Sequence, residues 1–436
     1  MFGLLKERRI FSDAFWAILG QLMSACALLA GTRILTELVT PSIYGQVALL
    51  NGFVALGVAV FSYPFICAGM RLAPECLNKS ELADLYKAVS YLTGRSTTLA
   101  IGLLVLGGIA YSTVSHGEVL LFVVTGVLLA VTVRRELGIQ LLIGERKQRA
   151  ASLWQTTDSI LRPTLAISLV WWGGQQVELV LIGYILASIL SNIFWSYMVN
   201  IKADNLKPPS NIRKFRDDVW TYALPLIPME LMFWVSGLGD RYFIGYLMTA
   251  AEVGLYAATY LIINEAFNRS AMVLLRIFQP VYFQSYSQNQ ANEGFRILWL
   301  WIACVVALGI IGVSLLLVTK DFVATWLLAE SYHSAVELMP AIAIGCVLHA
   351  FGTVVAQPLL ANKKPQLLLF GRVCGVVTAV ISIPLMVIHY GLIGAAIANP
   401  IYFGVEAIVL ALLAKPWRMI AANNDSLEIA SCKLTA

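Results

Sequence analysis

The chain has 436 residues, of which 59% are hydrophobic and 13% charged, and its mean hydropathy is +0.78. Soluble domains carry about 25% charged residues, so this composition excludes a soluble globular protein. The net charge of +5 does not indicate nucleic acid as a partner, because the basic residues follow the short polar segments.

Apolar stretches of about 20 residues recur along the chain, each long enough to cross a hydrocarbon core of about 30 Å. They predict twelve transmembrane helices, at residues 14–36, 44–69, 88–111, 119–140, 152–172, 177–199, 220–247, 254–276, 295–318, 339–360, 366–389 and 392–414. The first stretch is too long for a signal peptide and no clear cleavage site ends it, so it is predicted as a span.

Basic residues lie almost entirely on one side of these spans. That side carries Lys6, Arg8, Arg9, Arg71, Lys79, Lys87, Arg134, Arg135, Arg146, Lys147, Arg149, Lys202, Lys207, Arg213, Lys214, Arg216, Lys363, Lys364, Lys415 and Arg418. The opposite side carries Arg33, Arg241 and Lys320. Because positive loops stay in the cytosol, both termini are predicted to be cytoplasmic.

Sequence motifs for catalysis and metal binding are missing. The chain has no G-x-x-x-x-G-K-[ST] loop, no H-E-x-x-H and no C-x-x-C, and its polar segments of about 20 residues are too short for a catalytic domain. We therefore expect no enzyme, no metal site and no cofactor.

The polar segment "NIKADNLKPPSNIRKFRDDVW" divides the spans into six and six. The predicted domains are an N-terminal lobe (1–205), a linker (206–219), a C-terminal lobe (220–415) and a cytosolic tail (416–436). Arg33 precedes Gly45 much as Arg241 precedes Gly254, at the outer end of each lobe's first span. Such repeats place substrate sites between their halves, so we expect an all-α membrane protein with a central polar cleft.

Ionisable residues lie inside several predicted spans. Asp158 and Arg162, like Glu265 and Arg269, are spaced i,i+4 and share a helix face. The others are Arg95, Glu230, Arg372 and Glu406. Structural pairs, or side chains that reach the headgroups, would explain single members of this set. A wet cleft would satisfy the whole set.

Proline and glycine positions predict bends and close packing. Pro64, Pro163, Pro225, Pro228, Pro358 and Pro384 lie inside spans. Pro225 and Pro228, just before Glu230, make the seventh span the best candidate for a bent helix. Gly371 and Gly375 form a G-x-x-x-G pattern that favours close helix packing.

The segment "ALPLIPMELMFWVSGLGDRYFIGYLMTAAEVGLYAATYLI" resembles the seventh and eighth spans of Wzx-type polysaccharide flippases. "RILTELVTPSIYGQVALL" and "GLIGAAIANPIYFGVEAIVLALL" are similar to the first and last spans of that family. These flippases belong to the multidrug/oligosaccharidyl-lipid/polysaccharide exporter superfamily. In length and span number the resemblance covers the whole chain.

This resemblance implies a bacterial inner-membrane flippase that moves an undecaprenyl-pyrophosphate-linked oligosaccharide by alternating access, coupled to H⁺ or Na⁺. The polysaccharide polymerase machinery is a candidate partner. The candidate pyrophosphate-binding residues are Arg33, Arg95, Arg162, Arg269 and Arg372, since guanidinium groups hold phosphates in bidentate fashion. The candidate ion-coupling residues are Asp158, Glu230 and Glu265.

Two other functions stay open. Drug/cation antiporters of the same superfamily favour an acidic lumen, whereas here the candidate arginines are at least as many as the carboxylates. A scaffold without transport activity has no use for so many buried charges.

Asp240 and Arg241 form a candidate outer gate. Adjacent helical residues point about 100° apart, so the two cannot simply neutralise each other. We expect Asp240 to pair with Arg33 when the protein is closed to the outside, while Arg241 faces the cleft or the headgroups. Simple anchoring of the span end is the alternative.

The predicted topology can be tested by cysteine labelling in intact cells. Gln290 lies between the eighth and ninth spans, on the predicted cytosolic side. A reagent that cannot cross the membrane should leave Gln290→Cys unmodified until the cells are opened. Labelling from outside would reverse the assigned orientation.

Overall fold

The computed structural model describes residues 2–76, 79–115, 119–145, 147–198, 212–288 and 290–416. Within these ranges the chain is helical and contains no β-strand. The helices are α1 (Phe2–Leu38), α2 (Pro41–Phe61), α3 (Tyr63–Leu72), α4 (Lys79–Ser115), α5 (Val119–Gly144), α6 (Gln148–Gly173), α7 (Val177–Met198), α8 (Ile212–Ala223), α9 (Leu226–Leu247), α10 (Ala250–Ser287), α11 (Ala291–Leu327), α12 (Met339–Val355), α13 (Gln357–Ala361) and α14 (Pro365–Ala414). Two 3₁₀ helices span Ala73–Glu75 and Glu330–Leu338.

The helices agree with a chain that crosses the membrane many times. Among the described residues, seven helices are long and apolar enough to span it, and the bent pair α8–α9 makes eight. Helices α5, α6 and α10 carry charged side chains mid-helix and fall outside that set, and α14 counts once although it contains two helical segments. With these additions every predicted segment is helical. The all-α polytopic fold is confirmed.

Two helix breaks lie next to prolines of the predicted spans, whereas α6 and α14 continue through Pro163 and Pro384. Helices α8 and α9 meet at 42°, and the break falls at Leu224 and Pro225. Helix α2 gives way to α3 at Ser62, just before Pro64. Proline lacks the amide hydrogen that would continue the helix, which explains both breaks. The seventh span is therefore bent at its proline-rich start, while its movement during transport stays a prediction.

A single glycine separates the last two predicted spans. Gly391 has φ 58° and ψ −141°, a conformation that favours glycine, and it divides α14. The two segments then pack closely. A Cβ at Gly371 would overlap Leu410, and one at Gly375 would lie 2.8 Å from Glu406 Oε2. The G-x-x-x-G pattern therefore serves close packing, as predicted.

The chain forms two compact units, Met1–Leu238 with Leu327–Ser331, and Gly239–Trp326 with Tyr332–Ala436. The boundary falls inside α9, after the predicted linker. Residues 206–211 of that linker and 417–436 of the predicted tail lie outside the described residues. The cleft expected between the lobes stays a prediction.

Each unit has its own core. In the first unit, α6 packs on α1 and α7, α4 packs on α5, and α8 packs on α3 and α4 around Phe65 and Leu85. In the second unit, α12 packs on α10 and α14, and Tyr282, Trp301 and Val354 fill the space near their ends. These cores hold the polar residues described below in place.

The two segments of α14 pack closely after the bend at Gly391, so two glycine-to-alanine substitutions should change the stability by different amounts. A Cβ at Gly394 would overlap the carbonyl oxygen of Met386, whereas one at Gly404 would lie 3.7 Å from Leu348, an ordinary contact. Gly394→Ala should destabilise the protein by about 1–3 kcal/mol. Gly404→Ala should be neutral or stabilise it by up to about 1 kcal/mol. Thermal unfolding in detergent measures both, and equal changes would contradict this packing.

Candidate functional site

Asp158 is the centre of a buried polar cluster in the first unit. Its side chain is 3% exposed and lies on α6, where a helical turn brings Arg162 Nε to 2.9 Å. Arg135 of α5 binds the same carboxylate oxygen. Ser188 of α7 donates a hydrogen bond to the other oxygen at 3.3 Å. One carboxylate thus joins three helices.

The two arginines of this cluster have further partners. Arg162 donates to Thr132 of α5 at 3.1 Å and to Ser188 at 3.0 Å. Arg135 also pairs with its neighbour Glu136. The cluster holds two positive and two negative groups and is neutral. Buried charges require such compensation, because an ion alone in a medium of low dielectric constant is very costly.

A second buried pair lies in the second unit. Arg372 and Glu406 form an ion pair between the two segments of α14, and their side chains are 10% and 1% exposed. Gly375 leaves the room in which Glu406 lies. The predicted pair on α10 also forms, between Glu265 and Arg269.

Asp240 lies in a buried hydrogen-bond network in the same unit. Tyr256 donates its hydroxyl hydrogen to Asp240 Oδ2 at 2.5 Å, and the amide of Arg241 donates to Oδ1 at 2.8 Å. Asn399 donates to the Tyr256 hydroxyl oxygen at 2.6 Å and accepts from Tyr402 at 2.8 Å. The Arg241 guanidinium lies 5.4 Å from the ring centre of Tyr260. The two gate candidates thus have separate partners, as the 100° argument requires.

The remaining candidates lie apart from these clusters. Arg33 pairs with Glu37 on its own helix at 2.7 Å. Arg95 lies on the exposed face of α4 and donates to the Tyr91 hydroxyl at 3.0 Å. Glu230 is partly buried on α9 and forms no ion pair with another described residue. The proposed pairing of Arg33 with Asp240 joins the two units and stays a prediction.

Sequence reasoning assigns one residue of the Asp158 cluster to the wrong environment. It places Arg135 only among the basic residues that flank a cytosolic turn, whereas the side chain lies between α5 and α6 and pairs with Asp158. The apolar run "GIQLLIG" after Glu136 is the available signal. Sequence reasoning also misses Thr132, Ser188, Tyr256 and Asn399, since a neutral polar residue in a span carries no charge signal.

Known proteins resemble this chain in sequence and in fold. A model of a family described as polysaccharide biosynthesis protein matches residues 10–275. The chain belongs to this family. A probable flippase AglR of Haloferax volcanii is 24% identical over 368 residues, which are 80% of this chain and 73% of the relative.

Solved transporters have the same overall fold. The lipid II flippase MurJ in an inward closed conformation gives a TM-score of 0.71 at 12% identity, with 93% of this chain and 87% of MurJ covered. A multidrug resistance MATE family transporter of the MOP superfamily, outward-facing, gives 0.63 at 18% identity, with 95% and 96% covered. The fold is therefore that of membrane transporters, and the family resemblance noted in the sequence is confirmed.

The shared carboxylate predicts a large stability effect. Asp158→Asn keeps the size of the side chain but leaves Arg135 and Arg162 without their common anion. It should lower the free energy of unfolding by about 3–5 kcal/mol. Glu37→Gln breaks a more exposed pair and should cost about 1 kcal/mol or less. Unfolding in detergent compares them, and similar losses would show that the buried cluster adds no special stability.

Proposed function

We propose that this protein flips an undecaprenyl-pyrophosphate-linked oligosaccharide across the bacterial inner membrane. The observation that carries the proposal is the family match over residues 10–275, together with a probable flippase that aligns with 80% of the chain. The substrate class follows from the family resemblance and from the chemistry of the site.

The substrate needs a polar path that the bilayer does not offer. A diphosphate and a chain of sugars cannot enter about 30 Å of hydrocarbon without losing their hydration. Polar side chains on several spans would replace those water contacts in part. The Asp158 cluster is the best-built candidate, because it presents two guanidinium groups to one acidic oxygen.

The ion pairs suggest how an anion would be held and released. Arg162, Arg269 and Arg372 each have a carboxylate partner in this structure. A pyrophosphate would bind by taking over an arginine from its carboxylate, since the guanidinium group forms similar bidentate bonds with both anions. Binding at Arg269 would then release Glu265 to accept a proton or sodium ion, whereas Asp158 would exchange one of its two arginines and keep Arg135 and Ser188. That exchange is the proposed link between substrate and coupling ion.

Alternating access completes the proposal. The two solved transporters with this fold were captured in different conformations, one outward-facing and one inward closed. We propose that this chain also exchanges between such states, with both termini in the cytoplasm. The Asp240–Arg33 gate and the role of Glu230 in ion coupling belong to the same proposal.

A drug/cation antiporter is the second candidate. It is favoured by the MATE transporter fold, which covers 95% of this chain. It is opposed at three of the carboxylates, because Asp158, Glu265 and Glu406 each already have an arginine partner. Glu230 is the one ion-coupling candidate without an ion pair among the described residues. An organic cation would have to displace that arginine.

Arg162 provides the test of the flippase proposal. In the native host with its own gene deleted, Arg162→Gln should lower surface polysaccharide by at least about tenfold, because one guanidinium–anion contact is worth roughly 1.5–3 kcal/mol. The lipid-linked unit should accumulate in the membrane. Arg71→Gln is the control, since Arg71 forms an exposed i,i+4 pair with Glu75 and should leave flipping unchanged.

Protein levels measured by immunoblot separate loss of transport from loss of folding. Normal polysaccharide in the gene deletion would refute the flippase proposal. Drug sensitivity without accumulation of the lipid-linked unit would support the antiporter.

A further inference from the structure

The outer face of α4 and α5 carries an exposed arginine on each helix. On α4, Tyr91, Arg95, Thr98 and Gly102 are exposed at i, i+4, i+7 and i+11, so they form one stripe. On α5, the residues exposed at the same spacing are Val123, Val127, Ala130 and Arg134. Each stripe has a single charged residue.

The two stripes lie on the same side of the helix pair. Helix α2 contacts α4, where Ser62 and Thr97 hydroxyls are 3.2 Å apart, and it contacts α5, where Leu129 fills the space beside Gly57. Both contacts lie on the side of α4 and α5 opposite to the exposed stripes. Helix α2 therefore closes the inner side of the pair and leaves the outer side open.

The two arginines lie at a similar level along the antiparallel helices. Gly108 of α4 faces Phe122 of α5, and Ile101 faces Gly126. These two contacts fix how the antiparallel helices pair along their length. The same pairing, extended towards the start of α4, places Arg95 opposite Arg134 to within about one helical turn. From Arg95 to Ser115 at the end of α4 is about 30 Å at 1.5 Å per residue. That length matches the hydrocarbon core, so both guanidinium groups reach a headgroup layer.

The space between the stripes is shallow and open. A Cβ added at Gly94 would meet no atom within 4 Å, and the neighbouring positions are Thr98 and Ala130. Small residues here leave a shallow, open surface along the helix pair, with the two arginines at one end.

Neither arginine is neutralised by a carboxylate of the described chain. Arg95 contacts the Tyr91 hydroxyl and ring, and Arg134 has no ion pair among the described residues. Arginines 33, 71, 162, 269 and 372, by contrast, each pair with a carboxylate, and the exposed Arg149, Arg276 and Arg296 resemble Arg95 and Arg134 in having no ion pair among the described residues. What distinguishes Arg95 and Arg134 is that two such charges lie side by side at one level, where together they attract an anion from outside the chain.

We propose that this surface is a binding site for an anionic phospholipid of the cytoplasmic leaflet. Arg95 and Arg134 bind the phosphate and the net negative charge of the headgroup, and Tyr91 orients the Arg95 guanidinium. The lipid tail lies along Gly94, Thr98 and Ala130. The site therefore prefers phosphatidylglycerol or cardiolipin over a zwitterionic lipid, whose own positive group opposes the two arginines. This assignment moves Arg95 from the transported substrate to a resident lipid, and it holds whatever substrate is transported.

Lipid titration of the purified, delipidated full-length protein tests the site. Native mass spectrometry counts bound phosphatidylglycerol or phosphatidylcholine for the wild type and for Arg95→Gln/Arg134→Gln. The double variant should bind phosphatidylglycerol at least about tenfold more weakly, while phosphatidylcholine binding should not change. Arg71→Gln should behave like the wild type, because Arg71 is neutralised by Glu75.

A second double variant distinguishes a specific lipid site from general attraction of anions to positive charge. Arg95→Lys/Arg134→Lys keeps the charge with fewer fixed donors, and should bind with intermediate strength. A variant is compared with the wild type only if its size-exclusion profile and unfolding temperature match those of the wild type. If the glutamine double variant misfolds, the lysine double variant provides the comparison. Equal binding of both lipids by the wild type, or an equal loss in Arg71→Gln, would overturn the proposal. Displacement of phosphatidylglycerol by equimolar undecaprenyl phosphate would also overturn it and assign the surface to the transported lipid.

Discussion

Asp158 has to be neutralised where it lies, because an ionised carboxylate in a layer without water costs several kcal/mol. Arg162 does this from the next turn of the same helix, and Arg135 does it from α5. Ser188 adds a contact from α7. The register of three helices thus depends on one anion. The same rule explains why Glu406 ties the two segments of α14 together through Arg372.

The ion pairs within a single helix follow from the sequence. Asp158 and Arg162, like Glu265 and Arg269, are one turn apart, so any helix brings them together. The contacts with Arg135 and between Arg372 and Glu406 could not be predicted, because they depend on which helices pack and at what depth. Asp240 is an intermediate case. Its separation from Arg241 follows from helix geometry, but its neutral partner Tyr256 is visible only in the fold.

Bends and turns were more predictable than contacts. Proline removes a helix hydrogen bond wherever it occurs inside a span, so the break before α9 follows from its proline-rich start. Gly391 ends a helical segment by a conformation that other residues avoid. The residues that pack against Gly371 and Gly375 could not be predicted from the sequence. The G-x-x-x-G pattern indicates a close neighbour, but nothing in it identifies Leu410 or Glu406 as that neighbour.

The state of the arginines changes how an anionic substrate would be recognised. From sequence, candidate arginines that are at least as many as the carboxylates favour an anionic head group as the ligand. In the structure, Arg162, Arg269 and Arg372 are paired, so attraction by free charge is not available at these positions. Recognition would then depend on exchange, in which a phosphate replaces a carboxylate and the positive charge is never left alone. Such an exchange avoids the cost of burying an ion without a partner. It also gives each carboxylate two states, one paired with its arginine and one in which the substrate holds that arginine. The ion pairs that hold the helices together are thus also the contacts that an arriving phosphate would have to open.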